Sequence, residues 1–148
     1  MERPDQDSAQ DGRLEGEDST MALNNYRVGA VVAVSDMELA RDFYEKKLGL
    51  TAHGDDPDGG RTYQCGEQTT LHVFPAPPDA GKSHATVAGW YVSDIEAVVD
   101  DLTANGVSFE RYDQPPIATD EKGIAVLGSS KGAWFKDPDG NTLGLLQD

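Results

Sequence analysis

The chain has 148 residues and a mass of 15.9 kDa, room for one domain or two very small ones. Twelve Lys and Arg stand against 27 Asp and Glu, a formal charge of −15. That excess of acid argues against nucleic acid and anionic membranes as partners, because phosphate binding needs clustered Lys and Arg.

A hydrophobic share of 37% supports a modest core. No apolar run approaches the roughly 20 residues of a membrane span. The first residues lack the basic start and apolar stretch of a signal peptide. The single cysteine, Cys65, allows neither an internal disulfide nor a thiolate cluster. A cytoplasmic protein is expected.

Residues 1–20 hold seven acids and two bases, a net −5, with Met1 and Leu14 as the larger apolar side chains. Such a segment buries too little to offset chain entropy, so residues 1–25 are expected to be a disordered acidic tail. Met21 is a candidate alternative start. Residues 28–34, Val-Gly-Ala-Val-Val-Ala-Val, read as a buried strand. Asp36 then caps a helix carrying Ala40, Phe43, Tyr44 and Leu48, and Gly49 ends it. Short strands follow at residues 62–65 and 70–74, while residues 54–60 read as a solvated loop. Residues 75–83 hold three prolines and Gly81, a plausible linker.

The same pattern then returns. Residues 89–92 are strand-like and Asp94 is a second cap. Ile95, Val98, Val99 and Leu102 form a helical stripe, and Gly106 stops it. Val34-Ser35-Asp36 and Val92-Ser93-Asp94 lie 58 residues apart, as do Glu38 and Glu96, which points to two copies of one unit. Strands follow at residues 124–127, 133–136 and 142–146. The last two are joined by Asp137-Pro138-Asp139-Gly140-Asn141, a strong hairpin signal. Each half reads β-α-β-β-β, over residues 26–76 and 84–148.

Taken in order, Val34-Ser35-Asp36, Phe43-Tyr44, Leu48-Gly49-Leu50 and Trp134-Phe135-Lys136-Asp137-Pro138-Asp139-Gly140-Asn141 resemble the vicinal oxygen chelate superfamily. This is the group of glyoxalase I, bleomycin resistance proteins and extradiol dioxygenases. The resemblance runs from Tyr26 to Asp148. It implies an α+β glyoxalase-like fold, in which two βαβββ modules form a curved mixed sheet around a cavity. It also implies a homodimer, with residues 75–83 as the point where modules would exchange. Metal-dependent members chelate a divalent ion through four cavity positions. These match Gly29, His72, Val87 (or Ala88 if the register slips) and Gly144, of which His72 alone can ligate. Catalytic divalent ions need about three or four protein ligands. No metal and no cofactor are therefore expected, and metal-dependent glyoxalase or dioxygenase activity is disfavoured.

Strand alternation sorts the remaining candidates by face. His72, Thr70 and Phe74 share one face of their strand. Gly29 and Val31 face inward on the first strand, Val87, Gly89 and Tyr91 on the strand leading to Val92-Ser93-Asp94, and Gly144 on the last. Glycine at Gly29 and Gly144 is expected to widen the space. This small, apolar and aromatic lining suits a small organic ligand held by a few polar anchors, and the acidic surface favours cationic ligands at long range. His72 is the one catalytic candidate, with no orienting carboxylate legible beside it. Trp90 and Trp134 read as core or interface residues. Three functions compete: metal-independent binding of a small organic molecule, metal-free lyase or isomerase chemistry using His72 with Tyr91 or Tyr63, and a non-catalytic regulatory module with a filled interior.

Overall fold

The structure, a computed structural model, describes residues 22–115 and 117–148. Of the expected acidic tail, residues 1–21 lie outside the described residues, and Leu23–Asn25 form one exposed 3-10 turn.

The first module begins with strand β1 (Ala30–Val34), rich in β-branched residues. Helix α1 (Met37–Arg41) follows, and Asp36 caps it by accepting from the amides of Glu38 and Leu39. The helix continues as a π-helical stretch, Asp42–Lys47, which buries the adjacent rings of Phe43 and Tyr44. Strands β2 (Thr51–Asp55), β3 (Arg61–Gln64) and β4 (Thr70–Pro75) complete the module. The second module has β5 (Thr86–Tyr91) and helix α2 (Ile95–Ala104), where Asp94 caps the amide of Ala97. A small ribbon of β6 (Asp113–Gln114) and β7 (Ile117–Ala118) precedes β8 (Ile124–Leu127), β9 (Ser130–Lys136) and β10 (Thr142–Gln147).

The fold is α+β, with two four-stranded mixed sheets of the same topology. Their orders are β1-β4-β3-β2 and β5-β10-β9-β8. In each, the first strand pairs in parallel with the last of its module. The 58-residue echo in the sequence is thus a repeat of structure. Strand β2 escapes the sequence pattern because it is an edge strand with mostly exposed residues, so no apolar alternation marks it. The ribbon of β6 and β7 is also unforeseen, since two-residue strands carry no period. No helix among the described residues is long and apolar enough to cross a membrane.

One face of each sheet packs into a shared core. Phe43, Tyr44, Tyr63 and Val73 from the first module meet Ile95, Val99, Phe135 and Leu143 from the second in a single buried cluster. Phe43 and Phe135 touch across it, with ring centroids 6.3 Å apart. The sheets do not close into a barrel, and their opposite faces are left open.

A polar node pins the modules together beside this core. Asp137 is 5% exposed, and its carboxylate accepts four hydrogen bonds. Three come from its own turn: the amides of Asp139 (3.0 Å) and Asn141 (2.9 Å) and the Asn141 side chain (2.9 Å). The fourth crosses to the first module, from the Tyr44 hydroxyl at 2.7 Å. Asn141 also donates to the Ala33 carbonyl at 2.8 Å and accepts from the Gly81 amide at 3.1 Å. Asp139 accepts from the amide and hydroxyl of Ser35, at 3.0 and 2.5 Å. The turn therefore does more than join β9 to β10, because it ties the chain ends of β1 and the linker.

Removing the Asp137 carboxylate strands several buried donors, so Asp137→Ala is expected to cost about 3 kcal/mol or more. Tyr44→Phe removes one donor and is expected to cost about 1–2 kcal/mol. Urea unfolding of both variants beside the parent checks the size and the order.

Candidate functional site

The open faces carry the candidate site. On β4, Leu71 and Val73 are buried in the core, so Thr70, His72 and Phe74 lie on the open face, as alternation requires. Val31 pairs in register with His72 and is 59% exposed. A groove of about 730 Å³ runs between the start of β1, the β3–β4 turn and β5. It gathers four of the expected residues: Gly29, Thr70, Gly89 and Tyr91. A smaller cleft of about 260 Å³ shares Gly89 and Tyr91 and adds Thr86, Trp134 and Gly144. Tyr91, at 81% exposure, stands between the two.

Several expectations need correction. Val87 does not face the cleft. The β5–β10 register slips at a bulge between Thr142 and Leu143, so Val87 and Ala88 both pack toward the core and Thr86 takes the open position. Gly144 does not widen the space either. A Cβ there would lie 3.3 Å from Cδ1 of Trp134, whose indole also crosses Gly132. Gly29 is covered in a similar way, since a Cβ would meet the Thr70 hydroxyl at 3.0 Å. Trp134, expected in the core or an interface, lines the smaller cleft instead. Alternation on β9 held the signal, because buried Ala133 and Phe135 put Gly132 and Trp134 on the opposite face.

His72 and Phe74 stack with ring centroids 5.8 Å apart, but neither lines the groove or the cleft. His72 belongs instead to a polar cluster built by the loop at residues 56–60. That loop is exposed at Pro57, Asp58 and Gly59, as expected, but is anchored at buried Gly60. Gly60 lies so close to β4 that a Cβ would be 2.2 Å from the Val73 carbonyl oxygen, and this approach brings Asp56 and Asp58 to the imidazole. Nε2 of His72 lies 2.7 Å from Asp58, and Nδ1 lies 3.1 Å from Asp56 and 2.9 Å from the Thr62 hydroxyl. The Thr62 hydroxyl donates to Asp56 at 2.7 Å. The orienting carboxylates that the sequence did not reveal are therefore present, and both ring nitrogens are occupied. Tyr63, the proposed proton-transfer partner, is fully buried and donates to Glu45 at 2.9 Å. Burial and the Glu45 carboxylate push its phenol well above the usual range.

These positions do not fit the four-ligand ion that the family resemblance implies. Val87 packs on the core, Trp134 covers Gly144, Thr70 covers Gly29, and His72 is turned to Asp56 and Asp58. Among the described residues, Asp56, Asp58 and His72 are the ligating side chains whose donor atoms converge, within 4.8 Å of one another. The two carboxylates engage opposite ring nitrogens, so a cation there would take only one of those nitrogens.

The β3–β4 turn borders the groove. Its central residues, Glu67 (φ 55°) and Gln68 (φ 66°), are both left-handed although neither is glycine. Each such residue costs about 1–2 kcal/mol of backbone strain. The turn is held by Cys65 N–H on the Thr69 carbonyl (2.9 Å) and Thr69 N–H on the Gly66 carbonyl (3.1 Å). The Arg27 guanidinium also donates to the Gln68 carbonyl.

Paired βαβββ modules with open, ligand-sized faces define the class. Over residues 27–145 the sequence matches the Glyoxalase/Bleomycin resistance protein/Dioxygenase superfamily, and the chain belongs to that family. No curated protein matches it. Among solved structures it is similar to TnmS3, an antibiotic binding protein from Streptomyces sp. CB03234. The two are 28% identical, over 82% of this chain and 94% of that one, with a TM-score of 0.57. A glyoxalase/bleomycin resistance protein from the same Streptomyces is 27% identical, over 81% and 98% of the chains, at TM-score 0.56. A glyoxalase/bleomycin resistance protein from Catenulispora acidiphila DSM 44928 shares the fold at 23% identity and TM-score 0.60, over 82% and 97%.

The Asp58 carboxyl is held below the usual carboxylate range by the Gly60 amide and then by His72. A lowered folded pKa means that its contribution is complete above the ordinary value of about 4 and is lost as the pH falls through the folded value. The loop at residues 56–60 is therefore expected to loosen as the pH falls through that value. NMR titration of the Asp58 carboxyl and the Gly60 amide checks this, with a midpoint below that of an exposed aspartate.

Proposed function

We propose that this protein binds a small organic molecule in the groove at the start of β1 and β5, without a metal ion. The observation that carries the reading is the convergence of Gly29, Thr70, Gly89 and Tyr91 on one groove of about 730 Å³, a size suited to a drug-like ligand. Its walls are largely apolar, and Thr70 and Tyr91 offer hydroxyls. The similarity to TnmS3, an antibiotic binding protein, supports a binding role. Catalysis through His72 is less well supported, because both its ring nitrogens are engaged and it lies outside the groove. A regulatory module with a filled interior is disfavoured by the groove itself.

A second copy of the chain is part of the proposal. Val28, Val31 and Tyr91 are 85%, 59% and 81% exposed, an apolar surface that a homodimer would cover while enclosing the ligand. Light scattering is expected to give about twice 15.9 kDa.

A thermal-shift screen of neutral and basic aromatic compounds tests the function, with and without a chelator. Hits are expected to raise Tm equally in both conditions. Tyr91→Ala leaves the core untouched and is expected to weaken binding about tenfold, as loss of an aromatic contact does. Binding that vanishes with the chelator, or a screen without hits, overturns the reading.

A further inference from the structure

We propose that Glu67 makes the groove selective for organic cations, the ligand being a protonated amine carried on an apolar or aromatic body. The inference rests on the groove being the ligand site. Glu67 is the one charged residue among those lining it. Among the described residues no cation pairs with its carboxylate. The nearby Arg27 guanidinium donates to the Gln68 carbonyl and forms no ion pair with Glu67, whereas Glu45, Asp55 and Glu96 each hold a Lys or Arg. A carboxylate with no partner at the mouth of an apolar groove is a natural counter-ion for an ammonium group. Tyr91, the exposed ring lining the same groove, adds an electron-rich face for the cation or a stacking surface for the body. Val28, Ala30 and Leu71 supply apolar contact between them.

The backbone gives an independent reason. Glu67 and Gln68 occupy consecutive left-handed positions, where a two-residue hairpin turn is easiest for Asn-Gly. The hydrogen bonds that close the turn run through the backbone and Thr69, so they would survive that exchange. Of the groove lining, only the Glu67 carboxylate would be lost, since Gln68 does not line it. Strain kept at a ligand groove, with a cheaper sequence available, is the signature of a residue held for its side chain. The formal charge of −15 draws cations to the whole surface, and Glu67 fixes where the charge is read.

The test compares naphthylethylamine with naphthylethanol, close in shape but charged and neutral at pH 7, by calorimetry on the full chain. The amine is expected to bind about tenfold more tightly than the alcohol. In Glu67→Gln that ratio is expected to fall to about twofold or less. Glu121→Gln removes the same charge from a site outside the groove and is expected to keep the ratio. The double variant Glu67→Asn with Gln68→Gly is expected to raise Tm while losing the ratio, which separates ligand selection from folding. Equal binding of amine and alcohol to the parent, or a preference that survives Glu67→Gln, overturns the inference and leaves the groove reading standing. If neither probe binds, both fall.

Discussion

The buried carboxylate of Asp137 is the constraint on which the arrangement of the two modules depends. A charge with 5% exposure is costly unless its lone pairs are filled. Its own turn fills three acceptor positions, and the Tyr44 hydroxyl of the other module fills the fourth. Burial, with Asp137 facing it, pushes the Tyr44 phenol far above its usual range, so that hydroxyl keeps its proton and remains a donor. Asn141 and Asp139 extend the tie to Ala33, Ser35 and Gly81. The hydrophobic core brings the modules together without direction. The node sets their relative position, because hydrogen bonds have geometry and apolar contact does not.

That position has a consequence for function. Both sheets turn their helix-bearing faces into one core, so both opposite faces are left to solvent. The groove lies where β1 and β5 approach each other, and it includes residues from both modules. Neither module alone would form it. The polar cluster of Asp56, Thr62 and His72 belongs to the first sheet only, apart from the groove. The charged cluster and the largely apolar groove are therefore separated on this surface. Glu67 is the exception, carried into the groove by a strained turn.

Much of the fold was legible in the sequence. Asp36 and Asp94 marked helix starts, and both cap as expected. The turn at Asp137–Asn141 was readable from Pro138 and Gly140, though its buried role was not. Strand β2 was invisible because an exposed edge strand needs no apolar alternation. Of the expected site residues, Thr70, Gly89, Tyr91 and Gly29 followed from alternation and line one groove. Val87 did not, because one bulge moves a side chain to the other face and bulges leave no mark in a two-residue period. Trp134 could have been found by the same alternation.

The sequence by itself determined the family, the doubled strand–cap–helix unit 58 residues apart, the faces of most strands and the lack of a ligating side chain at Gly29, Val87 and Gly144. These are local properties, written in periodicity, capping residues and residue identity. Tertiary structure alone decided that Asp56 and Asp58 reach His72, that Trp134 covers Gly144, and that Glu67 shares a groove with Tyr91. Each of these joins residues from different strands or loops. Their meeting depends on loop path, register and module docking, which the order of residue types does not encode locally.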